Sequence, residues 1–128
     1  TLTNILADDN PPPVLVDSMT DRAIHLQDGR VIVGPCIFLR GEVLKWDVPE
    51  TPWKDWSMDH FKAFEDVEHK PEILIVGTGS RMVPLPPKLR EKIRELGIGM
   101  DISDTRSACS TYNVLAEEGR PVAAALFP

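Results

Sequence analysis

Pro71-Glu72-Ile73-Leu74-Ile75-Val76-Gly77-Thr78-Gly79 is a proline-led aliphatic run closed by two glycines. Its apolar residues are continuous rather than alternating and too few for a helix, the pattern of a strand buried on both faces. Pro86 and Pro87 follow where the first turn of a helix tolerates proline. Leu85, Leu89, Ile93 and Leu96 then form one apolar stripe, and Gly97 stops it. Ile98, Met100 and Ile102 alternate with Gly99, Asp101 and Ser103, the period of a second strand. Asp104 or Thr105 is placed to cap a second helix, whose Ala108, Thr111, Tyr112 and Leu115 share a side and whose stop is Gly119. Pro121 to Phe127 reads as a third strand. Strands alternating with single helices imply an α/β sheet with helices packed on it and right-handed crossovers where strands are parallel.

Ahead of this βαβαβ half the pattern changes. Residues 1–13 end in Asp8-Asp9-Asn10-Pro11-Pro12-Pro13, three residues that cannot donate to a ladder, and read as a flexible arm before a single domain over residues 14–128. Ala23 to Leu26, Val31 to Val33, Cys36 to Leu39 and Val43 to Val48 read as consecutive strands. Asp28-Gly29 between the first two is a hairpin signal, so an antiparallel meander is expected. Between the halves, Pro49 to Trp56 is a loop rich in Pro and Trp. Ser57 then caps a short helix to about Val67, with Met58, Phe61 and Phe64 inward. The expected whole is a three-layer α/β domain: an antiparallel meander, then βαβαβ, forming a mixed sheet with packed helices.

Composition narrows the function classes. A net charge of −6 disfavours a nucleic-acid surface, which needs clustered Lys and Arg to displace counterions. The two cysteines, Cys36 and Cys109, have no metal or redox spacing. Gly77-Thr78-Gly79 after a strand, with Asp101 one βαβ unit later, imitates a dinucleotide fingerprint. Met82 stands where the third glycine belongs, and the helix starts too late for its amides to reach a pyrophosphate. A turn that needs glycine torsions explains the motif more simply.

Cys109 lies in the first turns of a helix, near Arg106, where a thiol is activated. No histidine is spaced to serve it as a base, and a small buried apolar role is the simpler reading. His25, His60 and His69 lack ligand spacing and read as surface or capping residues. Glu65, Asp66 and Glu68 read as a solvated helix face. Trp46, Trp53 and Trp56 either pack a long loop or offer a partner-binding surface, since Trp is enriched at interface hot spots.

Val76-Gly77-Thr78-Gly79, Gly97-Ile98, Asp104-Thr105, Ala108-Cys109-Ser110-Thr111-Tyr112-Asn113-Val114-Leu115, Glu118-Gly119-Arg120 and Ala124-Ala125-Leu126 together resemble, in order and spacing, the mitochondrial complex I assembly factor 3 family. That family's relatives include small bacterial and archaeal proteins and the human adipogenesis-associated protein. The resemblance covers about residues 14–128 and is densest in the second half. It implies a compact three-layer α/β domain. It also implies a non-catalytic role in the mitochondrial matrix, without a cofactor: helping to build the quinone-reducing module of NADH:ubiquinone oxidoreductase together with a second assembly factor, and helping that module onto the inner membrane. The family's shared turn falls on Gly77, Thr78 and Gly79, and its shared helix start on Thr105, Cys109, Thr111 and Asn113.

The expected function is therefore that of an assembly scaffold acting through a sheet edge, an acidic face or the Trp46 to Trp56 region, with Trp53 and Trp56 as contact residues. A small-molecule binder or enzyme using the Gly77 to Gly79 turn with Thr105, Cys109 and Asn113 is the alternative. A third reading is a bacterial cytoplasmic relative linked to protein export.

Overall fold

The computed structural model describes residues 11–128. Of the expected arm, residues 1–10 lie outside the described residues, while Pro11 and Pro12 run against the turn at Gly41. Strands β1 (Val16–Met19), β2 (Ala23–Leu26) and β3 (Val31–Val33) form a small antiparallel sheet. Strands β4 (Cys36–Leu39), β5 (Glu42–Lys45), β6 (Ile73–Thr78), β7 (Gly99–Ser103) and β8 (Val122–Phe127) form a second sheet in the order β5-β4-β8-β6-β7. It is mixed: β6 is parallel to β7 and β8, and β4 is antiparallel to β5 and β8.

The meander is thus present but divided between two sheets, at Gly34-Pro35. β3 exposes Val31 and Val33, as a strand with one covered face does, whereas all four residues of β4 are buried. Burial on both faces suits β4 to the interior of the large sheet, where β8 takes the pairing that a simple meander would give to β3. The β4–β5 hairpin turns through Arg40 (φ 50) and Gly41 (φ 76), the paired positive torsions of a tight two-residue turn.

Three helices and a 3-10 turn complete the described residues: the turn Met58–Phe61 leads into α1 (Lys62–Asp66), followed by α2 (Pro87–Glu95) and α3 (Thr105–Glu117). Ser57 N donates to His60 Nδ1 at the start of the turn, so His60 is a capping residue. Alternation along the strands sorts the core into two layers. Ile37, Leu39, Leu74, Val76, Ala123, Ala125 and Phe127 face one way, toward Phe61, Phe64, Leu89 and Ile93. Cys36, Phe38, Ile75, Ala124 and Leu126 face the other, toward Ala108, Cys109, Tyr112 and Ala116 of α3 and Val16, Ile24 and Leu26 of the small sheet. The large sheet is therefore the middle of three layers.

Right-handed crossovers explain why α2 and α3 lie on opposite faces. The chain steps outward from β6 to β7 and then back past β6 to β8, and reversing direction with the same hand puts the second helix on the other side. The buried stripe of α3 is Thr105, Ala108, Cys109, Tyr112 and Ala116, with Thr111 and Leu115 only half-buried. The last strand, β8, is central, and its Ala123, Ala124 and Ala125 are small enough to admit packing on both faces.

Candidate functional site

Reversal of strand order creates a switch point between the carboxyl ends of β6 and β8, the place where open α/β sheets bind ligands. Gly77, Thr78 and Gly79 end β6 there, and α3 begins there. The crevice is filled by the chain itself. Thr105, completely buried at the first position of α3, accepts a hydrogen bond on Oγ1 from Gly79 N at 2.7 Å and donates from the same hydroxyl to the Phe127 carbonyl. Thr105 N in turn donates to Gly79 O at 2.8 Å. A side chain at Gly77 would bring its Cβ to 2.8 Å from Thr105 Cα, so glycine is needed for close approach at that position rather than for torsion. At Gly79 the torsion reading holds, with φ +98.

Asp104 caps α3, accepting from Ser107 N at 3.0 Å and Ser107 Oγ at 2.7 Å. These hydrogen bonds, the side-chain one foremost, hold its carboxyl below the usual range. A phosphate approaching those amides would meet a carboxylate already using them, which removes the physical basis for pyrophosphate binding at this helix.

Thr78 organises the loop that follows. Its Oγ1 donates to Arg81 O at 2.6 Å and accepts from Val83 N at 2.9 Å. Val83 O then accepts from Trp53 Nε1 at 3.1 Å. Trp53 meets the Phe127 ring at 5.5 Å, edge-on, and the Phe127 carbonyl returns to Thr105. The glycine turn and the tryptophan loop are therefore one connected structure. Trp46, 4% exposed, anchors the loop through Nε1 to His60 O at 2.7 Å and lies 4.8 Å from Phe127. Trp53 and Trp56 are half-buried against the same cluster, and Trp53 holds an uncommon φ of 67.

The other expected site residues lie elsewhere. Cys109 is buried beside Ala108 on the opposite face of the sheet, in the cluster that contains Cys36. Burial pushes its thiol up to about 11 against the pull of Arg106, so at neutral pH it is protonated and a poor nucleophile. Thr111 is half-buried farther along the helix. Asn113 reaches the small sheet, where Oδ1 accepts from Val16 N at 2.9 Å and Nδ2 donates to Val16 O at 2.7 Å. Its amide imitates a neighbouring strand and fastens β1 to α3.

The contributions of Val83 and Phe127 are carbonyls, an amide and a packed ring, which no side-chain motif announces. No group of three or more His, Cys, Asp or Glu able to hold a metal occurs among the described residues.

Residues 16–127 match the family described as protein of unknown function (DUF498/DUF598). The chain belongs to this family. Among relatives of this DUF498/DUF598 protein, the NADH dehydrogenase (ubiquinone) 1 alpha subcomplex assembly factor 3 of Mus musculus is 35% identical over 128 residues, covering 100% of this chain and 68% of that protein. The Homo sapiens protein of the same name is 37% identical over 113 residues, 88% of this chain and 60% of that one. A crystal structure of a Bordetella parapertussis protein superposes with a TM-score of 0.77 at 31% identity, covering 91% of this chain and 96% of that one. The resemblance to assembly factor 3 and the mixed α/β architecture are both borne out by these relatives, and the family extends to bacteria.

Proposed function

We propose that this chain is a non-catalytic assembly factor acting through protein contacts on the quinone-reducing module of mitochondrial complex I. The observation that carries this reading is 35% identity to mouse assembly factor 3 across all 128 residues. The site chemistry supports it. The crevice that would hold a small substrate is filled by Thr105, and the thiol nearest to it in the sequence is buried and protonated at neutral pH. The partners of this proposal are a second assembly factor and quinone-module subunits, met in the mitochondrial matrix. Contact with the inner membrane comes through those partners; no helix among the described residues is long and apolar enough to cross a membrane.

The contact surface we propose is the rim where the tryptophan loop meets the loop after β6. Met82 is 53% exposed there, Trp56 is half-buried, and the Trp53 to Val83 hydrogen bond holds the two loops together. An exposed Met beside a partly covered Trp offers the adaptable apolar surface that partner recognition favours.

Purifying the tagged chain from its native cells in mild detergent, followed by mass spectrometry, tests the function. Quinone-module subunits and a second assembly factor are expected with it, and their absence overturns the reading. Met82→Asp and Trp56→Ala are expected to reduce capture while the thermal midpoint stays close to wild type. Full capture by both would move the surface elsewhere without touching the assembly role.

A further inference from the structure

At the opposite end of the large sheet from the Thr105 junction lies a groove of about 440 Å³, between Pro11 to Pro13, the β4–β5 turn, the segment His69 to Pro71 and the end of α3. Its volume falls within the range of small-ligand sites. Leu39, Ala116 and Val122 give it apolar walls. Its described lining is richer in positive charge than the chain as a whole. Arg40, Lys70 and Arg120 line it together with His69, and among the described residues no Asp or Glu does, although the chain carries 20 acidic residues against 14 Lys and Arg.

Two of these cations, Arg120 and Lys70, are anchored without being exhausted. Arg120 pairs with Glu72 at 2.6 Å, with both side chains about half exposed, and Lys70 Nζ donates to Glu65 O and Val67 O. A guanidinium has five N–H donors and an ammonium three, so each keeps donors for a ligand. The last carbonyls of α3 already accept from the amides of Glu118, Gly119 and Arg120, which tempers their repulsion of an anion.

Tyr112 adds a polar group to this interior. It is 4% exposed, its ring lies 5.4 Å from Phe38, and it lines the groove. Every fully buried side-chain nitrogen or oxygen among the described residues has a hydrogen-bond partner, and the Tyr112 hydroxyl has none among them. Its oxygen must therefore reach open space, and the open space that Tyr112 lines is this groove. Burial raises its pKa, which keeps the phenol a neutral donor. A donor with no protein partner among the described residues, in a largely covered groove, suits an incoming acceptor.

We propose that this groove binds a small organic carboxylate with an aliphatic body, its hydrocarbon against the apolar walls and its carboxylate paired with the Tyr112 hydroxyl and the cationic rim. Such binding is independent of the assembly role, because groove and rim lie at opposite ends of the sheet.

Titration calorimetry of the full chain with octanoate, and with 1-octanol as its uncharged counterpart, tests it. Octanoate is expected to bind saturably at one site, about tenfold more tightly than octanol, and more weakly as salt is raised. Tyr112→Phe keeps the ring contact with Phe38 and is expected to weaken octanoate about tenfold while leaving the melting temperature in place. Amide shifts on titration are expected at Lys70, Arg120 and Val122. No saturable binding, equal affinity for acid and alcohol, undiminished affinity in the Phe variant, or shifts confined to other residues would each overturn the proposal.

Discussion

Thr105 and Gly79 exchange two hydrogen bonds: Gly79 N donates to Thr105 Oγ1 at 2.7 Å, and Thr105 N donates to Gly79 O at 2.8 Å. The pair locks the start of α3 to the end of β6, and the same hydroxyl, donating to Phe127 O, adds β8. One buried side chain thus closes the switch point of the sheet.

Thr105→Val keeps the shape and removes the hydroxyl, leaving the Gly79 amide without its acceptor and the Phe127 carbonyl without its donor. A cost of about 2–4 kcal/mol in urea unfolding is expected from one buried and one part-buried group left unpaired. Thr105→Ser restores the hydroxyl and should lose only about 1 kcal/mol for the missing methyl. Equal losses in the two variants would show that packing, not hydrogen bonding, holds the junction.

The two glycines of the turn separate by mechanism. At Gly77 an added methyl meets Thr105 Cα at 2.8 Å, Thr105 Oγ1 at 2.9 Å and Leu126 Cδ2 at 3.0 Å, and the nearest of these is backbone. Gly77→Ala should cost about 1–3 kcal/mol through overpacking. At Gly79 the added methyl meets nothing within 4 Å, but φ is +98. Gly79→Ala should cost about 1–2 kcal/mol from the torsion. The sharper discriminator is Gly79→Asn, which tolerates positive φ and should recover part of that loss, whereas Gly77→Asn should be worse than Gly77→Ala.

Local periodicity made the back half legible. The run from Ile73 to Val76 reads as buried on both faces, and Leu74, Ile75 and Val76 are, because a continuous aliphatic run fits only the interior of a sheet. Asp104 as a cap and Gly97 and Gly119 beyond helix ends are equally local, and they hold. Partners distant in sequence were hidden. Nothing in Cys36 to Leu39 says that it pairs with Val122 to Phe127 rather than with β3, and strand β1 is not legible because its Val16-Asp17-Ser18-Met19 carries little periodicity. At the site, Gly77, Thr78, Gly79 and Thr105 do converge. Trp53 joins them only through a backbone carbonyl and the Phe127 ring. Asn113 leaves the group because its amide is spent on Val16, 97 residues away.

That amide is the basis of another expectation. Asn113 satisfies both the N–H and the carbonyl of Val16, so Asn113→Ala leaves two part-buried backbone groups to find water. A loss of about 1–2 kcal/mol is expected. Its signature is local: hydrogen exchange should quicken in β1 and β2 while the amides of β6 and β8 keep their protection. Asn113→Asp, which can accept but not donate, should be no better than Ala, since its charge faces the Val16 carbonyl. Uniform loss of protection across both sheets would mean that the small sheet does not open independently.

Cys36 and Cys109 predict the alkaline limit of the fold. Burial pushes Cys36 up to about 12, with the nearby Cys109 adding to the shift, and pushes Cys109 up to about 11, both from an ordinary thiol value of 9.0. The unfolded chain therefore releases these protons at lower pH than the folded one. Stability from the buried thiols is fully present below pH 9 and falls as pH rises toward 11–12, since the unfolded state then binds fewer protons than the native state. Tyr112, also raised by burial, acts in the same direction at the top of that window. Under reducing conditions, urea midpoints measured from neutral pH to about 11 should decline more steeply in the wild type than in Cys109→Ala, which removes one thiol and little volume. The variant will start lower at neutral pH, because a small cavity replaces the sulfur, and the two curves should converge as pH rises. Parallel curves would mean that Cys109 ionises as readily in the folded chain as in the unfolded one, and rapid reaction of the native protein with a thiol reagent at neutral pH would point the same way.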